Sequence, residues 1–229
     1  MSLRHALLAL VEAGAMTGYE LAKQFDVSVD YVWQAQHSQI YTELRRLEAE
    51  GLVAATTQPR GTRALATKRP YALTAAGAAE LHRWVTTIEE QPAVRDTAYV
   101  KATYLEYGSY RQAQEQFRAH RAHYEALRDR YERHVDQLER RDTALLRRRI
   151  AAAPDTAHDA ITAYKVHAYE GLIERARTEI VWAERGLELV RRLAAESGDP
   201  ESPVSPPRAG AETTRVGDEV SSRSDFSQS

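Results

Sequence analysis

Leu3, Ala6, Leu7, Leu10 and Val11 follow one another at spacings of three and four, which sets them on a single face of a first helix. A second helix is announced by Thr17-Gly18-Tyr19-Glu20, where Thr17 is placed to cap and Glu20 to reach back in a capping box, with Leu21, Ala22 and Phe25 then pointing inward. The third helix starts near His37, buries Ile40, Leu44 and Leu47, and leaves at Gly51, a residue suited to the left-handed exit. Directly after Gly51, Leu52 to Thr57 reads as a strand, and Tyr71 to Leu73 returns beside it to close a hairpin. Thr74 then caps a fourth helix with Leu81, Val85 and Ile88 on one side.

From about Val94 the pattern becomes helical throughout. Between Tyr110 and about Arg148 one long helix is expected, because Tyr110, Phe117, Tyr124, Tyr131, Leu138 and Leu145 recur every seventh residue. The positions three later, Ala113, His120, Leu127, His134 and Arg141, are partly polar, so this seam should pack on a neighbouring helix, on a second copy of the chain, or on both. A last helix, with Thr156 and Asp159 as its cap, offers the stripe Tyr164, Ala168, Leu172, Ala176, Ile180, Ala183, Leu187 and Val190. After Ser197 the chain is rich in Pro, Ser, Gly and charge, a composition that cannot offset its ordering entropy. The pattern therefore divides the 229 residues into a winged helix over 1–90, a helical dimerisation domain over 94–196 and a disordered tail over 197–229. The fold class expected is mainly α with a small β-hairpin, an N-terminal winged helix-turn-helix followed by an all-helical region.

Composition narrows the chemistry. With no cysteine, disulfides, thiolate nucleophiles and cysteine-held metals are excluded. The net charge of -2 gives no bulk signal for or against nucleic acid, so any such signal must be local. It is local: Gln58 to Arg69, the hairpin tip, carries Arg60, Arg63, Lys68 and Arg69 and no acid. No apolar run is long enough to span a bilayer, and Arg4, His5 and Glu12 interrupt the first one, so neither a membrane partner nor a signal peptide is expected and a cytoplasmic address follows.

The order helix, helix, helix, strand, basic loop, strand, helix is that of a winged helix, and four segments carry it: LRHALLALV, TGYEL at Thr17 to Leu21, HSQIYTELRRLEAEGLV at His37 to Val53 and YALTAAG at Tyr71 to Gly77. In these the chain resembles the PadR family of transcriptional regulators, and its later helices resemble the C-terminal region of the longer, virulence-activator-like members. Members often carry Gly where Ser38 stands, and an aromatic or basic residue in place of Pro70, which lacks a strand donor and is expected at an edge.

Two sets of residues are expected to meet DNA. The exposed face of the third helix presents His37, Ser38, Gln39, Thr42 and Arg45, with Arg46 beside them, where base edges and phosphates would lie. The wing cations Arg60, Arg63, Lys68 and Arg69 are suited to phosphates or a narrow minor groove. The resemblance adds Tyr41, Tyr19 and Lys23 as backbone contacts. It also implies a homodimer on an operator of double-stranded DNA, with Tyr110, Phe117, Tyr124, Leu127, Tyr131, Leu138, Leu172, Ile180 and Leu187 as dimerisation positions. A small-molecule effector pocket near the junction of the two regions would draw on Trp33, Trp84 or Tyr99.

Two other readings stand beside this one. An enzyme would rest on the eight histidines, yet no Glu-x-x-His or His-x-x-x-His pair, phosphate loop or nucleophile elbow is present, and no cofactor or metal is called for. A winged helix that holds another protein instead of DNA would have no need of so cationic a wing.

Overall fold

In the computed structural model residues 3–28, 35–56, 58–59, 67–90 and 96–198 are described. Trp33, Arg60, Arg63 and all but the first two residues of the expected tail lie outside them. The first helix, α1 (Leu3–Glu12), buries Leu7, Leu10 and Val11 as its spacing requires, and Leu8 as well. Its buried arc is wide because helices and a strand pack around it: it touches the second, third and fourth helices and the last strand of the sheet.

Met16 and Thr17 form a short strand, β1 (Met16–Thr17), before α2 (Gly18–Ser28) begins. The expected capping box is in place: the Thr17 N–H donates to Glu20 Oε2 at 2.8 Å, and the Glu20 N–H to Thr17 Oγ1 at 3.2 Å. Next comes α3 (His37–Ala49), with Ile40, Leu44 and Leu47 fully buried and Gly51 at φ +73° turning the chain away. The wing is built from β2 (Val53–Ala55), β3 (Gln58–Pro59), β4 (Thr67–Lys68) and β5 (Pro70–Leu73). Antiparallel pairing gives the order β1-β5-β2, with Met16 opposite Tyr71 and Val53 opposite Leu73, while β3 and β4 pair further out.

Pro70 is therefore not at an edge, as its missing donor suggested, but on the central strand. It is tolerated because it is the first residue of β5, where only its carbonyl is used, accepting from the Thr56 N–H at 3.0 Å. Thr74 joins sheet to helix. Its hydroxyl donates to the Leu52 carbonyl at 3.0 Å and accepts from the Gly77 N–H at 3.1 Å, capping α4 (Ala75–Thr86). Gly77 is needed there, since a Cβ would overlap the Leu52 carbonyl oxygen. The apolar side expected of this helix is cut short: Leu81 is half-buried, but Val85 is exposed and Ile88 lies beyond the helix, which ends where Thr87 turns extended.

The rest of the described chain is helical: α5 (Thr97–Ala102), α6 (Tyr110–Glu139), α7 (Ala144–Ala151) and α8 (His158–Ser197). The single helix expected from Tyr110 to Arg148 is two. Arg141 takes φ +55°, its N–H donates to the Leu138 carbonyl, and the Asp142 N–H donates to the Gln137 carbonyl, so α6 ends in a left-handed cap without glycine. Thr156 and Asp159 do not cap the last helix either; a single 3₁₀ turn, Asp155–Ala157, leads into it.

Long helices α6 and α8 pack along each other, with one cluster of Ala113, Phe117, Ala183, Leu187 and Val190 and another of Tyr131, Leu138, Leu146, Tyr169 and Ile173. Gly186 lies under the Phe117 ring, which a Cβ would strike. The stripe on α8 holds from Ala176 onward but not before: Tyr164 and Ala168 are exposed and Tyr169 and Ile173 are buried instead. A strict four-residue spacing drifts by about 40° per step on a helix of 3.6 residues per turn. Followed back from Ile180, it reaches the opposite face by Tyr164.

Candidate nucleic-acid interface

The buried side of α3 fixes its opposite side outward, and the chain spends several of the polar groups there on holding the helix in place. His37 Nε2 lies 3.1 Å from Asp26 Oδ2, tying the start of α3 to α2. Gln39 Oε1 accepts from the Gln36 N–H at 3.0 Å, closing the first turn. Thr42 donates its hydroxyl to the Ser38 carbonyl at 2.9 Å, leaving its methyl and acceptor lone pairs outward. Arg46 reaches Glu43 at 3.4 Å, whereas Arg45 is exposed and has no ion pair among the described residues.

Around this face stand the groups expected to hold the backbone. Tyr19 is 72% exposed at the first turn of α2, and Lys23 is exposed one turn on. Tyr41 is 41% exposed, and its ring covers Gly18 so closely that any Cβ there would strike it, so it packs α3 against α2 with its outer part open. The Thr17 amide and hydroxyl hold the Glu20 carboxyl below the usual carboxylate range. Of the two wing cations described, Lys68 is exposed, while Arg69 donates to Glu48 at 2.6 Å and lies 5.9 Å over the Tyr71 ring. Arg69 thus ties the wing to α3 with half its side chain still in solvent. What the structure brings together is one surface of hydroxyl, amide and guanidinium groups on α3, flanked by Tyr19, Lys23 and Lys68.

Of the aromatic residues expected at an effector pocket, Trp84 and Tyr99 stand in different places. Trp84 stacks on His5, with ring centroids 4.8 Å apart, and lines a cavity of about 610 Å³ between α1 and α4 on one side and α7 and α8 on the other. Tyr164, Arg149 and Lys165 line it too. Burial and the nearby Arg149 push the Lys165 ammonium below its usual range, and Arg149, itself lowered by burial, pairs with Glu12. Tyr99 is elsewhere, donating to Glu179 Oε2 at 3.2 Å beside a smaller cavity of about 220 Å³ under α5. His120 Nε2 meets the same carboxylate oxygen at 3.0 Å, and Trp182 packs on both rings. Burial, then the Glu179 charge, raises the Tyr99 phenol. Sequence reasoning passed over Glu179, although Ala176, Glu179, Ile180 and Ala183 share one helix face and so place an acid inside the apolar stripe.

Residues 7–83, which span this surface, match the Transcriptional regulator PadR-like family. The chain carries a PadR-like domain. It is homologous to the negative transcriptional regulator PadR of Bacillus subtilis, 35% identical over 119 residues that make up 51% of this chain and 63% of that protein. Rv1176c of Mycobacterium tuberculosis is 45% identical over 85 residues, 37% of this chain and 44% of that one. The chain thus spans less than two thirds of the length of either curated relative. Among solved structures, Bacillus subtilis PadR in complex with operator DNA superposes at a TM-score of 0.62 and 26% identity, over 82% of this chain and 98% of that one. The virulence activator AphA of Vibrio cholerae shares the fold at a TM-score of 0.53 and 22% identity, over 84% and 100%. The PadR-like domain and the helical region after it therefore follow one known architecture.

Proposed function

We propose that this protein is a sequence-specific transcriptional regulator, a repressor that binds a palindromic operator as a homodimer in the cytoplasm and is released by a small molecule. The observation that carries the reading is the exposed polar face of α3, held by His37 and Asp26 on one side and flanked by Tyr19 and Lys68, on a scaffold like that of a protein solved on its operator. Residues 1–90 would read DNA and 94–196 would join two copies. Ser38, Thr42 and Arg45 face the base edges; Tyr19, Lys23, Tyr41 and Lys68, with Arg60 and Arg63, serve the phosphates.

Within one chain Phe117, Tyr131, Leu138, Ile180 and Leu187 are already buried between α6 and α8, and Tyr110, Tyr124, Leu127 and Leu172 are half-buried. Among the described residues, Val181, Leu189 and Leu193 of α8, with Val100, Tyr104, Tyr107 and Tyr164, stay exposed in this half. Burying part of that apolar surface is the reason to pair, and two winged helices related by a two-fold axis read a palindrome.

Bacillus subtilis PadR was also solved with p-coumaric acid, at a TM-score of 0.59 and 25% identity to this chain. In this protein the cavity beside Trp84 offers aromatic walls and a half-buried Lys165 with no acid in an ion pair with it among the described residues, which suits an aromatic carboxylate.

Selection of bound sequences from random duplex DNA tests the core of the reading. A two-fold symmetric motif should be enriched; recovery of unselected sequence would contradict it. Adding p-coumarate to the complex then tests release, which should weaken when Lys165 is changed to Gln.

A further inference from the structure

Helix α7 buries Leu146 in the core of the helical half, and its neighbouring residues dock it on the PadR-like domain as well. Leu145 packs against the core of the winged helix, alongside Leu3, Leu73 and Leu81, and Arg149 pairs with Glu12 at the end of α1. Those two anchors fix the helix lengthwise and in rotation, and they leave Arg148 between them on its exposed side.

The four arginines around Arg148 are engaged with acids. Arg140 lies 3.8 Å from Asp136, Arg141 is 2.5 Å from Asp159, Arg147 is 2.7 Å from Asp142, and Arg149 holds Glu12. Arg148 has no ion pair among the described residues. The acid that feels its charge is Glu20, which also feels Lys68 of the wing. Glu12, which Arg149 holds, ends α1 just before β1 and the first turn of α2, so the exposed Arg148 stands on the flank that carries Tyr19, and its charge reaches Glu20 there as that of Lys68 does. The Glu20 carboxylate is engaged by the Thr17 amide and hydroxyl, so two cations face outward around one acid that is already bonded.

We propose that α7 is a third DNA-contacting element, in which Arg148 holds a backbone phosphate next to those held by Tyr19 and the wing. The contact is electrostatic and independent of sequence, because a guanidinium on a phosphate carries no base information. This rests on the DNA-binding reading above and extends it: the helical half would touch the operator as well as pair two chains.

The test is a salt titration of the full chain on its selected duplex and on a scrambled one. Arg148→Gln should weaken binding to both alike and lower the slope of log affinity against log salt by about 0.9, the change expected when one fewer phosphate is neutralised. Arg148→Lys should keep the slope, Arg147→Gln should leave it unchanged, and melting curves of all three should match the wild type. The proposal is overturned if Arg148→Gln leaves slope and affinity as they were while Lys68→Gln lowers both, or if Arg147→Gln loses as much as Arg148→Gln. A wild-type chain without any duplex binding would instead overturn the DNA-binding reading, and the Arg148 contact with it.

Discussion

The PadR-like domain closes most of its large apolar side chains completely, whereas in the helical region only a few, Leu146 at 1% and Leu187 at 2%, are as deep. In the first, Leu7, Leu8, Leu21, Phe25, Ile40, Leu44 and Leu47 are all at 0% exposure; in the second, Phe117, Tyr131, Tyr169, Ile173 and Ile180 keep between 5% and 8%, and Val181 and Leu189 stand at 44%. Three helices, a fourth and a sheet wrap the first core from every side, whereas two long helices lying along each other can cover only the faces between them. The core of the PadR-like domain is closed within one chain. That of the helical region is more open, and its polar insertions, His120 against Glu179 and His134 against Tyr169, sit where a more closed core would have excluded them.

If that contrast is right, Leu44→Ala should cost about 2–5 kcal/mol of folding stability, toward the upper end because the cavity is enclosed, and Ile180→Ala should stay near the lower end of the same range. Urea unfolding of both variants at one protein concentration checks this, and equal losses would break the comparison. The two tight glycines sharpen it. Gly77→Ala should cost about 1–3 kcal/mol, since the new methyl meets the Leu52 backbone carbonyl and not a side chain that can turn aside. At Gly186 the obstacle is the Phe117 ring, which can move, and alanine gains about 1 kcal/mol in helix propensity over glycine, so the net change there should be smaller.

Arg141→Gly should be stabilising. Relief of a left-handed arginine is worth about 1–2 kcal/mol, offset by about 0–1 kcal/mol for the exposed pair with Asp159. A rise in melting temperature is expected, and a fall would mean that the ion pair governs the bend.

Acid should separate the two regions by the smallest margin. Burial holds the His134 imidazole below its usual range, so the unfolded chain binds the proton more readily. Stability from this residue is complete above the ordinary imidazole range and is lost as pH falls through it toward the folded value. Glu20 is depressed in the winged helix, and its contribution persists down to the ordinary carboxylate range and is lost only as pH falls further, through its folded value. Melting curves at pH 7.5 and 5.5 should thus show a loss in the wild type that shrinks in His134→Leu; an unchanged difference would remove His134 from the account.

Much of the first region was legible because each signal is local: the Thr17 box, the Gly51 exit and the Thr74 cap each need only neighbours in sequence. β1 was not legible, because two residues carry no alternation and exist as a strand only through their pairing with β5. The break after α6 was hidden by an arginine in a place where glycine is the usual signal. On the interface, sequence named the face of α3 but not that Gln39, His37 and Arg69 are tied to Gln36, Asp26 and Glu48, since a polar side chain looks the same whether it faces water, a base or its own helix. Which of the aromatics near the junction line a common cavity was not legible either: they say nothing about which side of it they take, and Trp84 and Tyr99 take different ones.

The central claim is that α3 reads sequence while its flanks hold phosphate, and Arg45 is the residue on which the two roles divide most cleanly, being exposed and without an ion pair among the described residues. Arg45→Ala and Lys68→Gln are to be titrated against the selected operator and a scrambled duplex at several salt concentrations. Arg45→Ala should cost about 1–3 kcal/mol on the operator with little change on scrambled DNA, and Lys68→Gln should weaken both together with a lower salt slope. Equal losses on both duplexes for Arg45→Ala, with none for Lys68→Gln, would contradict the account.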